Sequence, residues 1–221
     1  HNDARRQRQM CIRDRYRLNK AESFEEWTDA LRMQEIASLN LIYADKEDNI
    51  FFVHNVKSPI RDINFDWSKI LPGDRSDLIW KDFHSFDDIP QIKNPNSGYL
   101  FSANQNPFFV TDAEDNLNPD DFIDTFGFQT RTTNRAYRSY ELLNRDTDIT
   151  NEEISLIKHD NKFSYNSRQY AFMEKIFNTD FSENKKLQEA QKFLKEWDLG
   201  TDFENDHVAF GVCILSPEWL A

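Results

Sequence analysis

Apolar and polar positions along the chain fall into two regimes. Up to about residue 118, short apolar runs alternate with turn-forming clusters; beyond it, apolar residues recur at helical spacing. In the first regime residues 23–36 predict a helix. Ser23 followed by Glu26 forms a capping box, and Phe24, Trp27, Leu31 and Ile36 fall on one face. The period then changes. Residues 39–43 and 50–53 are apolar runs separated by the turn cluster Ala44-Asp45-Lys46-Glu47-Asp48-Asn49, which predicts a β-hairpin. Pro72-Gly73 and Asn94-Pro95-Asn96-Ser97-Gly98 mark further turns, and the second launches a short strand over 99–103. In the second regime Asn118-Pro119-Asp120-Asp121 is a helix start, and 132–144, 151–159, 165–177 and 183–197 predict helices. Thr150 with Glu153 forms another capping box, and Gly200 ends the last of these helices. A strand-rich first half and a helix-rich second half, without βαβ alternation, predict an α+β fold.

Composition then removes whole classes of chemistry. The 221 residues include only five glycines, at 73, 98, 127, 200 and 211. A dinucleotide fingerprint or a phosphate loop cannot be written with that set, and a Gly-x-Ser-x-Gly nucleophile elbow is equally absent. The net charge of −12 makes nucleic acid and anionic membranes poor partners. No apolar run approaches the length of a membrane span. Nineteen Phe, five Trp and seven Tyr supply a core despite 38% hydrophobic content. Two cysteines, Cys11 and Cys213, are too few for a disulfide framework or a zinc site.

The charge is unevenly placed. Residues 1–20 carry seven basic and two acidic side chains, a local charge of +5 that leaves −17 for the remainder. This head lacks the apolar segment of a secretory signal. It resembles translated adaptor sequence; a basic arm is the alternative. Residues 1–16 are therefore set apart as a non-native head, and 17–221 are treated as the folded piece, with 21–118 built of helix and sheet and 119–221 mainly helical.

Candidate chemistry is sparse. None of the five histidines pairs at metal-ligand spacing or sits near a cysteine, which predicts structural or surface roles and no metal centre. Acidic pairs such as Asp87-Asp88, Asp120-Asp121 and Glu152-Glu153 are expected by chance among 39 carboxylates rather than as glycosidase acids. Asp112, Glu114 and Asp115 lie in a loop that weakly supports calcium, but they lack an Asp-x-Asp-x-Asp-Gly frame. No other cofactor is indicated. Asn104 differs, because a neutral amide at a strand end suits either an Asx turn before a proline or a donor to a tetrahedral oxyanion.

Several motifs in order carry a resemblance. Asn40-Leu-Ile-Tyr-Ala-Asp45 and Asp48-Asn49-Ile50 are followed by Ser58-Pro59-Ile60-Arg61, Asp66-Trp67, Leu71-Pro72-Gly73 and Trp80. Asn94-Pro95-Asn96-Ser97-Gly98-Tyr99 and Ala103-Asn104-Gln105-Asn106-Pro107 close the series. Across 21–145 this order is similar to the penicillin acylase family of N-terminal-nucleophile hydrolases, which includes acyl-homoserine-lactone acylases. The resemblance implies a partial αββα fold and amide hydrolysis by an N-terminal Ser whose α-amino group acts as base. It implies an oxyanion donor at Asn104 and an orienting Arg at Arg135, with Arg131 and Arg138 as alternatives for that position. It further implies an acyl-pocket wall at Leu39, a small-molecule acyl amide as substrate, and a periplasmic or extracellular parent protein.

The sequence also departs from the family pattern. His1 is not a Ser, Thr or Cys, so the nucleophile is expected outside this chain. The small subunit and the rest of the large subunit become expected partners, and the chain alone is expected to be inactive. Asp48 stands where the family has Gly, so the hairpin turn is where the resemblance is expected to fail first. Apolar faces of the hairpin and of strand 99–103 are expected to lie uncovered. The competing expectation is a non-catalytic acidic interaction domain on the same scaffold.

Overall fold

A computed structural model describes residues 12–35, 38–145 and 147–220, so residues 1–11 of the head, Ile36, Ala37, Asp146 and Ala221 lie outside the described residues. The chain divides into two compact units, His1–Arg131 and Thr132–Ala221. Among the described residues the strands all belong to the first unit, and most of the helix belongs to the second.

The first unit opens with helix α1 over 12–20, within and beyond the stretch set apart by its charge. Helix α2 (Phe24–Leu31) follows, and its cap is the expected one: the Ser23 side chain accepts from the Glu26 N–H. It ends at Leu31 rather than at 36. Gln34 takes a positive φ of 49°, and its N–H donates to the Leu31 carbonyl at 2.8 Å, which closes the last turn.

Strands β1 (Leu39–Ala44) and β2 (Ile50–Asn55) pair antiparallel over their full length, from Leu39 opposite Asn55 to Ala44 opposite Ile50. Asp48 adopts φ +60°, the left-handed conformation the family glycine would take. Asp is among the residues that tolerate this region, so the hairpin survives the missing glycine. Asp45 fastens the turn by accepting from the Glu47 and Asn49 N–H groups, each at 3.0 Å.

The third strand is not at 99–103. It is β3 (Gln91–Lys93), antiparallel to β2 with Ile92 opposite Phe52, giving the order β1-β2-β3. Residues 99–103 form irregular backbone instead. The Phe101 N–H donates to the Val110 carbonyl at 2.9 Å and closes a loop over 101–110.

Being central, β2 is covered on both faces, which explains an apolar run rather than an alternating one. Phe51 and Val53 join Leu31, Phe86, Ile89 and Phe126, with Phe24, Trp27, Leu41 and Tyr43 packed against them. The rings of Phe24 and Phe51 meet edge to face at 5.1 Å. On the other face Phe52 packs with Ile92 and Val110. The expected uncovered hairpin is therefore not observed at β2. Exposed apolar side chains instead lie at Leu39 and Ile42 of β1 and along 60–83, at Ile60, Ile63, Ile70, Ile79 and Trp80.

The second unit contains helices α3 (Asn134–Leu143), α4 (Asn151–Lys158), α5 (Arg168–Phe177), α6 (Lys185–Lys195) and α7 (Val208–Leu220). The first four match the expected segments, each trimmed at one or both ends. Their N-termini are capped by Thr133, Thr150, Ser167 and Asn184, and Thr150 and Glu153 satisfy each other's backbone N–H groups as expected. The chain leaves α6 through Leu199, not Gly200: Leu199 holds φ +65° and is buried. The core gathers Met173, Leu194, Trp197, Leu199 and Leu215. Gly211 lies against the Trp197 ring, and a Cβ there would sit 2.3 Å from the indole. Gly211→Ala is therefore expected to lower stability by about 1–3 kcal/mol through overpacking, against a helix-propensity gain of about 1 kcal/mol. Chemical denaturation of the two proteins checks this; a stabilised variant would contradict the close packing.

Candidate active site

The alternation of side chains across β1 and β2 sends two sets of residues in opposite directions. Leu39, Leu41 and Tyr43 share the face of Phe51 and Val53, whereas Asn40 shares the face of Phe52 and His54. Asn40 and His54 are directly opposed cross-strand partners. Their side chains meet, with His54 Nδ1 2.7 Å from Asn40 Oδ1. The other end of the Asn40 amide reaches into the 101–110 loop. Its Nδ2 donates to the Gln105 carbonyl at 2.9 Å and to Ser102 Oγ at 3.3 Å.

That loop is held by side-chain amides in place of a ladder. Gln105 is buried. Its Oε1 accepts from the Ala103 N–H at 2.5 Å, and its Nε2 donates to the carbonyls of Phe101 at 3.2 Å and Phe109 at 2.8 Å. A buried amide is tolerable only when its donors and acceptors are matched, and here the loop's own backbone matches them. Asn106, also buried, donates through Nδ2 to the Thr130 carbonyl at 3.0 Å and accepts from the Phe108 N–H at 2.9 Å. The Asx turn before the proline thus belongs to Asn106.

Asn104 immediately precedes these two residues, and on its other side the Ala103 N–H is held by Gln105. It is exposed and takes φ +61°. Asn enters the left-handed region more readily than most residues, though at some cost. The arrangement is therefore an exposed amide on backbone fixed from both sides.

The three arginines separate. Arg138 is largely buried, and its guanidinium donates twice to Asp160, at 2.8 Å each, and to Glu141 at 3.3 Å. The hydrogen bonds to Asp160 raise its pKa, and its charge is committed within the second unit. Arg135 is exposed at the second residue of α3, and Arg131 is exposed at the end of the first unit. Leu39 is exposed at the start of β1, on the face opposite Asn40. Strand β1 thus carries the predicted pocket residue on one face and the support of the Asn104 loop on the other.

Two features stand apart from this site. A cleft of about 820 Å³ in the first unit is lined by Arg61, Trp67, Trp80, Asp124 and Thr125 among others, and by none of the predicted residues. Arg61 there donates to the carbonyls of Thr125 and Phe126 and covers the Trp80 ring, so it buttresses the loops. In the acidic loop Asp115 accepts from the Ser97 N–H and from Asn96, and Asp112 caps Ala113. Among the described residues no group of three His, Cys, Asp or Glu side chains is placed to hold a metal, and no helix is long and apolar enough to cross a membrane.

The family profile described as Penicillin amidase matches residues 4–213. The chain belongs to the penicillin amidase family. Penicillin G acylase of Escherichia coli is 34% identical over 88 residues, which cover 40% of this chain and 10% of that protein. A solved structure of a thermostable penicillin G acylase from Alcaligenes faecalis superimposes with a TM-score of 0.64 at 21% identity, over 88% of this chain and 34% of that one. The α+β expectation holds, and the fold is similar to the matched third of that enzyme. The matched parts of the chain span about a tenth of the curated relative's length and about a third of the solved structure's.

Sequence reasoning missed His54 and Gln105. The cross-strand register was the signal for His54, since a hairpin pairing Leu39 with Asn55 places Asn40 opposite His54. Gln105 carried no comparable signal. Burial pushes the His54 imidazole pKa below its ordinary value. The unfolded chain then takes up the proton more readily, so stability present above the ordinary imidazole pKa of about 6.5 is lost as pH falls through the folded value. His54→Asn keeps a donor for Asn40 and is expected to flatten this part of the profile. Urea unfolding between about pH 7.5 and about pH 5 checks it; equal slopes in the two proteins would contradict it.

Proposed function

We propose that this chain is part of an amide hydrolase that removes an acyl group from an acylated amine, such as an acyl-homoserine lactone or a β-lactam-type amide. A Ser at the N-terminus of a segment outside this chain attacks the acyl carbonyl, and its own α-amino group takes the hydroxyl proton. Negative charge moves to the carbonyl oxygen, where the Asn104 side-chain amide donates. Collapse breaks the C–N bond, and the amine leaves with the proton. Water then hydrolyses the acyl ester, again through an oxyanion. By the resemblance, Arg135 takes the family's orienting role and Leu39 contributes an apolar wall of the acyl pocket.

The observation that supports this reading is the exposed Asn104 set between the Ala103 N–H, which the Gln105 side chain holds, and the buried, hydrogen-bonded Gln105. A donor set in advance does not have to reorganise as charge develops, which is what oxyanion stabilisation requires. The roles of Arg135 and Leu39 rest on the resemblance. The same resemblance supports a small subunit and the rest of the large subunit as partners, and a periplasmic or extracellular setting. In the full-length protein carrying this chain, Asn104→Ala is expected to reduce kcat about a hundredfold or more with the fold intact. Steady-state kinetics with an acyl amide checks this. Unchanged turnover would remove Asn104 from the mechanism, and absence of turnover in the unaltered protein would favour the acidic interaction domain.

A further inference from the structure

We infer that Asn40 and His54 form a positioning pair for the Asn104 loop, with His54 fixing which end of the Asn40 amide faces that loop. The inference rests on the reading of Asn104 as the oxyanion donor. Its geometry follows from the partners at each end of Asn40. The Gln105 carbonyl can only accept, so the group 2.9 Å from it on Asn40 is the NH₂. The carbonyl end of Asn40 then faces His54, and the nitrogen 2.7 Å away must carry hydrogen. His54 is therefore protonated at Nδ1. An amide rotated by half a turn would set two acceptors against each other at Gln105 and two donors against each other at His54.

The pair is also well placed to transmit rigidity. Both residues lie in paired strands, on the face that carries Phe52 of the core, and Asn40 bonds to the residue immediately after Asn104. The His54 ring rests edge-on against Phe128 at 5.5 Å, which limits its own rotation. The sheet thus sets the backbone at Gln105, and Gln105 sets the backbone of Asn104 beside it. A misplacement of about 1 Å at a catalytic group can cost on the order of a hundredfold in rate.

The test uses the full-length protein for kinetics and the 221-residue chain for spectroscopy. Asn40→Asp keeps an acceptor for His54 but turns a carboxylate oxygen toward the Gln105 carbonyl. It is expected to lower kcat about tenfold or more with KM little changed. His54→Leu frees the Asn40 amide to rotate and is expected to lower kcat similarly. His54→Asn, whose amide NH₂ stands in for Nδ1–H, is expected to restore most of the rate. Nitrogen-15 NMR of the unaltered chain at neutral pH is expected to show His54 protonated at Nδ1 and bare at Nε2. An Nε2–H tautomer overturns the inference without any variant. So does a wild-type kcat in Asn40→Asp and His54→Leu, or equal loss in His54→Leu and His54→Asn, provided Asn104→Ala is impaired. If Asn104→Ala itself turns over normally, the oxyanion reading fails first.

Discussion

Burial of β2 on both faces is the constraint on which the first unit depends. Phe52 and Val53 are adjacent and both have 0% exposure, so each face of this strand needs its own cover. One face takes the aromatic residues of α2 and the cluster around Phe86 and Phe126. The other takes Ile92 and Val110, which brings the 101–110 loop onto the sheet. A loop cannot be buried against a sheet with unmatched backbone polar groups. Gln105, Asn106 and Asn40 supply the matching partners, and Asn104 stays exposed among them. The candidate site is in this sense a by-product of how a three-stranded sheet hides its second face.

Several carboxylates are engaged in the same local way. Asp45 closes the hairpin turn, Asp88 completes a capping box with Ser85, and Asp160 neutralises Arg138 inside the second unit. Asp198 is held down to about 2 by Lys162, aided by the Gly200 N–H. These carboxylates act on turns, helix starts and cations of the chain itself.

What was legible in the sequence follows the strength of local signals. The hairpin, the caps at Ser23 and Thr150, and four of the helices announce themselves through period and capping chemistry, because each is decided within a few residues. Strand β3 does not, since Gln91-Ile92-Lys93 has one apolar side chain and is a strand only because β2 offers it an edge. The segment 99–103 has better strand composition, yet the side chain of Gln105 captures its carbonyl at Phe101 and makes it a loop. Asp48 and Leu199 take positive φ where glycine is expected at or beside those positions; neighbouring packing and turn bonds override the preference. Asn104 was legible as a candidate through the family motif. The His54–Asn40–Gln105 connection was not, because it joins residues far apart in sequence through one hydrogen bond at each step.

The central claim is that this chain presents Asn104 as a preset donor to an acyl-transfer oxyanion. Its most direct test is a crystal structure of the full-length protein with a phosphonate or boronate transition-state analogue on the nucleophile. The account predicts Asn104 Nδ2 about 2.7–3.1 Å from the oxygen that mimics the oxyanion, with φ at Asn104 still positive. An analogue oxygen held by other donors, with the Asn104 amide turned away from it, would contradict the account.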